Sequence, residues 1–86
     1  MKREEVFNVI SDERDYQEEQ KRNNDSHVVE NFPLGSGLQA IRHNLNSAGI
    51  EWYYERDPYP DAMEYIRKIA AICVQMGERY GMPKRY

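Results

Sequence analysis

The sequence predicts an all-α protomer of three helices that assembles into a homo-oligomeric helical bundle. Two segments carry apolar residues every three or four positions, and a third begins that spacing before it turns polar. The third helix is apolar around more of its circumference than two neighbouring helices can cover. We expect the 86 residues to form one domain, 1–86, small enough to gain stability from association with another subunit.

Helix 1 is predicted over residues 2–22, which contain neither glycine nor proline. Its apolar stripe starts with Val6 and Ile10, and at about 100° per residue the same line continues through Glu13 and Gln17. Arg14 lies beside that line. Because buried polar groups cost desolvation free energy, another helix or a ligand must supply partners for them.

Residues 23–33 contain turn-forming residues and are predicted to be a loop. Helix 2 follows at 34–54, on the apolar spacing of residues between Leu34 and Trp52. A glycine inside a helix costs about 1 kcal/mol. We therefore expect another backbone to pack closely against Gly49.

Helix 3 is predicted over 60–80. Pro60 suits the first turn, Asp61 favours the positive N-terminal end, and Gly81 marks the C-terminal end before a basic tail, 81–86.

The apolar arc of helix 3 spans more than half of its circumference, so part of it is predicted to face another copy of the chain. The residues expected at this interface of a dimer or tetramer are Met63, Ile66, Ala70, Cys73 and Val74. The alternative is that the loop 23–33 covers this flank.

Composition and charge exclude several classes of partner. The net charge of −3 argues against binding to a long nucleic acid, and no apolar run reaches the roughly 20 residues that cross a bilayer. The first residues lack the apolar segment of a signal peptide, and the single cysteine gives no disulfide framework. These features predict a cytoplasmic protein without a membrane partner.

Catalytic and metal-binding patterns are weak, so we expect no enzyme activity, no metal and no cofactor. Carboxylates three residues apart occur at Asp12, Asp15 and Glu18, and at Asp61 and Glu64, a spacing that all-helical pyrophosphohydrolases use to hold magnesium. Both sets project away from the apolar stripe of their helix, and we interpret them as solvated. His27, His43 and Cys73 have no metal-ligand spacing and form no nucleophilic triad.

Aromatic residues accompany cations at several positions, as at Tyr16 near Arg14 and Tyr80 next to Arg79. Aromatic faces stack on nucleobases, and arginine or lysine holds phosphate. The alternative is that these tyrosines are interface residues with wetted hydroxyls.

Two segments together resemble a group of short bacteriophage proteins. VISDERDYQ (9–17) matches their E-R-x-Y-Q helix, and EYIRKIAAICVQMGERYGMPKR (64–85) matches a closing helix of the form I-R-K-I-A-A followed by G-x-P-x-R. The resemblance covers nearly the whole chain. It departs at EEQK (18–21), where related sequences often have a tryptophan, and at Ser36, where they often have a glutamate.

The resemblance implies an anti-CBASS sponge, an oligomeric phage protein that sequesters cyclic dinucleotide immune signals such as 3'3'-cGAMP in the infected cell without cleaving them. A cyclic dinucleotide has nearly twofold symmetry, so it suits a pocket shared between identical subunits. The ligand-binding residues that the resemblance implies are Glu13, Arg14, Tyr16, Gln17, Arg67, Lys68, Pro83 and Arg85. Tyr80 joins them because it is an aromatic residue next to a cation. Two alternatives stay open: a MazG-like nucleoside triphosphate pyrophosphohydrolase and a small helical inhibitor of a host protein. Arg67 and Lys68 could equally be solvated cations paired with Glu64 or Glu78.

Overall fold

The structure, a computed structural model, describes residues 1–23 and 34–85 and is all-helical over those ranges. Helix α1 spans Arg3–Asn23, α2 spans Leu34–Tyr54 and α3 spans Pro60–Tyr80. The three predicted helices are confirmed to within one residue at each end. Asn23, expected in the loop, ends α1, and the rest of the predicted loop lies outside the described residues.

Helix α3 lies between the other two helices. Both α1 and α2 pack against α3, and no contact joins α1 to α2 among the described residues. Ala62 and Ala71 are both fully buried, and their separation of nine residues places them on opposite sides of α3. The protomer is therefore a single layer of helices, in which α1 and α2 pack against opposite sides of α3.

This layer has a thin core. The buried apolar side chains of the described residues are Ala48, Ala62 and Ala71, and none of the large side chains there is fully buried. The radius of gyration is 14.0 Å, compared with about 12 Å for a compact domain of this length. Folding of the protomer alone leaves much apolar surface exposed.

The turn between α2 and α3 is held by its own side chains, Glu55 and Tyr59, together with Trp52 of α2. The Glu55 carboxylate accepts hydrogen bonds from the backbone N–H groups of Asp61 (2.9 Å) and Ala62 (2.8 Å). The rings of Trp52 and Tyr59 stack with their centroids 3.8 Å apart. Tyr59 adopts the left-handed conformation, with φ of 58°, and its side chain does not cap α3. Glu55 replaces it as the cap.

Three glycines bear on the predicted packing and on the predicted end of α3. A Cβ at Gly37 would make an ordinary van der Waals contact, 3.6 Å from Met76 Sδ on α3, whereas a Cβ at Gly49 would meet no atom within 4 Å. The close packing predicted at Gly49 is therefore wrong within the protomer. Gly81 confirms the predicted end of α3, since it has φ of 80° and donates its N–H to the carbonyl of Gly77.

The residues predicted to form the oligomer interface are accessible on α3. Met63 is 47% exposed, Ile66 36% and Val74 39%, while Ala70 and Cys73 are half-buried. Within the described ranges, no helix is both long and apolar enough to span a membrane.

Candidate functional site

The two sequence motifs meet where α1 packs on α3. Glu13, which is only 9% exposed, accepts a hydrogen bond from Arg67 Nε at 2.7 Å. Gln17 Nε2 lies 3.4 Å from the carbonyl oxygen of Lys68, at the long end of a hydrogen bond. Glu13 and the Gln17 amide nitrogen thus find partners on α3 of the same protomer, whereas Gln17 Oε1 is buried without a hydrogen-bond partner among the described residues. Of the two partners expected for Arg67, Glu64 forms a weak ion pair with it, with Oε1 3.7 Å from Nη2. The other, Glu78, pairs with Arg14 instead.

Arg14 forms a second set of ion pairs on the same contact. Its Nε donates to Glu78 Oε1 at 2.6 Å, and its Nη1 lies 2.7 Å from Glu18 Oε2. Burial by itself would lower the pKa of Arg14, but hydrogen bonds and attraction to Glu18 and Glu78 outweigh it and raise the pKa above its usual value. The guanidinium is held in place by these carboxylates and stays charged.

An open cavity of about 530 Å³ lies between α1 and α3, beside the Glu13–Arg67 pair. Its volume is within the range of roughly 300 to 1,000 Å³ found for small-molecule sites. Four residues of α1 and three of α3 line it: Val9, Asp12, Glu13, Tyr16, Glu64, Arg67 and Lys68.

Several polar groups at this cavity are available to a ligand. Asp12 is exposed and forms neither an ion pair nor a hydrogen bond with any described residue. Lys68 Nζ lies 5.1 Å from the centre of the Tyr65 ring and has no carboxylate partner within the described ranges. Tyr16 is more than half exposed. The cavity therefore offers an acceptor, a cation and an aromatic ring.

The structure brings together four of the nine predicted ligand-binding residues: Glu13, Tyr16, Arg67 and Lys68. Arg14 and Gln17 are on the same helix contact but do not line the cavity. Tyr80 is exposed at the C-terminal end of α3, about 18 Å along the helix from Lys68, and the exposed Pro83 and Arg85 follow beyond the end of the helix. They do not belong to this cavity.

Three lining residues, Val9, Asp12 and Glu64, are additions to the predicted set. Val9, Asp12, Glu13 and Tyr16 follow the spacing i, i+3, i+4, i+7, and Glu64, Arg67 and Lys68 follow i, i+3, i+4. That spacing places each set on one face of its helix and could have identified them. From the sequence alone, Asp12 and Glu64 are interpreted as solvated. Both are indeed exposed, but the structure places them at one cavity rather than on unrelated surfaces.

A separate acidic group lies at the turn between α2 and α3. Carboxylate oxygens of Glu51, Glu55 and Asp61 lie within 4.8 Å of one another. Both oxygens of Glu55 accept backbone N–H groups of α3, so the position of this carboxylate is explained by helix capping.

No protein-family model matches the chain, and comparisons with curated proteins and with solved structures find no match.

Proposed function

We propose that this protein binds a cyclic dinucleotide, such as 3'3'-cGAMP, and sequesters it without cleavage, so that a phage evades CBASS defence in the cytoplasm of the infected cell. The observation that supports the proposal is the open cavity where the two segments that resemble the phage proteins, 9–17 and 64–85, meet. Its lining combines an exposed tyrosine with the neighbouring cations Arg67 and Lys68.

The two cations differ in how freely they can bind a phosphate group. Arg67 uses Nε to bind Glu13, and this pair fixes the guanidinium at the cavity wall. Lys68 has no carboxylate partner among the described residues, so its ammonium group is free to bind a phosphate oxygen. Lys68 is therefore the principal phosphate contact in this proposal, and Arg67 supports it.

The proposed binding unit is a homo-oligomer, at least a dimer, formed through α3. Met63, Ile66 and Val74 expose apolar surface that neither α1 nor α2 covers. On α2, the half-exposed Leu38, Leu45 and Trp52 recur every seven residues and add to the apolar surface available to a partner. A twofold axis would give two equivalent cavities, which suits a ligand with two bases and two phosphates.

Calorimetry with purified protein and 3'3'-cGAMP tests this proposal, followed by heat denaturation and mass spectrometry of the released ligand. We expect tight binding and recovery of intact ligand. Lys68→Ala should weaken binding at least tenfold, whereas Lys2→Ala, an exposed lysine away from the cavity, should not. Absence of binding by the unmodified protein would instead favour an inhibitor that docks on a host protein.

The MazG-like alternative is favoured by one observation. Asp12 and Glu64 come from two helices and line one cavity, as carboxylates do around magnesium in phosphate-cleaving enzymes. Magnesium-dependent release of pyrophosphate from nucleoside triphosphates would support this activity, and recovery of cleaved ligand would contradict sequestration.

A further inference from the structure

The cavity contains more acid than a phosphate site requires. Asp12, Glu13 and Glu64 face it together with Arg67 and Lys68, so the ionised lining carries a formal charge of −1. Glu13 is engaged by Arg67, and Glu64 lies 3.7 Å from the same guanidinium. Asp12 is the carboxylate left without a partner among the described residues. Asp12 is therefore available to accept hydrogen bonds from a nucleotide whose phosphate is bound by Lys68.

Purine bases differ in the donors that they offer. Guanine presents N1–H and the N2 amino group side by side, and these two donors match the two acceptor oxygens of one ionised carboxylate. Adenine presents the N6 amino group beside N1, which is an acceptor and is repelled by a carboxylate. An ionised aspartate therefore discriminates between the two bases.

The placement of Asp12 and Tyr16 suits this contact. They lie four residues apart on α1, so their Cβ atoms are about 5 to 6 Å apart on one face of the helix. A base stacked on the exposed Tyr16 ring could reach the Asp12 carboxylate with its edge. Lys68, on the opposite wall, is left for the phosphate.

We infer that the cavity selects guanine, with Asp12 accepting hydrogen bonds from N1–H and N2–H of the base. This inference rests on the proposed function, because it names the ligand class of the same cavity. Asp12 is then a specificity-determining residue, while Lys68 binds without regard to the base.

The test is calorimetry of the unmodified protein with cyclic di-GMP, cyclic di-AMP and cyclic di-IMP, whose hypoxanthine base keeps N1–H but lacks the N2 amino group. A bidentate contact with one base gives about tenfold discrimination or more. We expect cyclic di-GMP to bind at least tenfold tighter than cyclic di-AMP, with cyclic di-IMP between them. Asp12→Asn should reduce this preference to less than threefold, whereas Asp15→Asn, an exposed control on the same helix, should preserve it.

The possible outcomes separate the two hypotheses. Equal binding of cyclic di-AMP and cyclic di-GMP overturns guanine selection and leaves the proposed function standing. An undiminished preference in a folded Asp12→Asn variant, checked by circular dichroism, overturns the role of Asp12. Absence of binding by all three probes overturns guanine selection, and the proposed function falls with it only if 3'3'-cGAMP also fails to bind.

Discussion

At the scale of single residues, the most informative position is Glu13, the acid at which the inner line of α1 changes from apolar to polar. It is buried, and its carboxylate binds Arg67 across the helix contact. Burying a carboxylate without a partner costs free energy. The Glu13–Arg67 pair therefore favours the alignment of α1 on α3 that brings these two residues together. Both residues of the pair also line the cavity, which links the stability of the helix contact to the shape of the site.

We predict that Glu13→Ala lowers the free energy of unfolding by about 2 kcal/mol. The effect should exceed the 0.2–1 kcal/mol of an exposed ion pair. It should fall below the roughly 3–5 kcal/mol for breaking a fully buried pair, because Arg67 is 35% exposed and keeps part of its hydration. Urea denaturation at fixed protein concentration measures the change.

Glu19→Ala is the matched control for this prediction, because Glu19 is an exposed acid on the same helix. Its effect should stay within about 0.5 kcal/mol. Equal effects of the two substitutions would show that the Glu13–Arg67 pair adds nothing to stability.

At the scale of helices, the N-terminus of α3 is capped by a side chain from the turn that follows α2. The residue at its N-cap, Tyr59, provides no side-chain acceptor, and Glu55 from beyond the end of α2 accepts two of the first free N–H groups. We predict that Glu55→Ala destabilises the protein by about 1 to 2 kcal/mol, the usual cost of losing a cap. Glu51→Ala removes a nearby acid that makes no such bonds. Urea unfolding should therefore show a smaller loss for Glu51→Ala, and a loss as large as that of Glu55→Ala would argue against capping.

The helices could be predicted from the sequence because their limits depend on local chemistry. Pro60 and Gly81 mark the ends of α3 through their own backbone preferences, and the apolar spacing of α2 is a property of that segment alone. The partner of Glu13 could not be named in advance, since it depends on how α1 is aligned with α3. For the same reason, the sequence could not show that Asp12 and Glu64 line one cavity.

At the scale of the whole molecule, the protomer is one layer where a stable domain normally has two. Both outer helices contact α3 and, in the part of the chain that the structure describes, make no contact with each other. The chain exposes 7114 Å², compared with about 5,400 Å² for a compact monomer of its mass. The difference exceeds the roughly 800 Å² that each partner buries in a typical stable interface. A second copy on the apolar face of α3 would supply the missing layer.

We predict that the unmodified protein has a mass in solution that is a multiple of 10.3 kDa, and that Val74→Glu shifts it to 10.3 kDa. Val74 is 39% exposed in the protomer, so a carboxylate there keeps access to water in the monomer but would be buried without a partner in the oligomer. Light scattering coupled to size-exclusion chromatography measures both masses. Phe7→Glu, at an exposed apolar residue on α1, should leave the assembly intact. A mass of 10.3 kDa for the unmodified protein at micromolar concentration would contradict the α3 interface, and each cavity would then have to bind its ligand within one protomer.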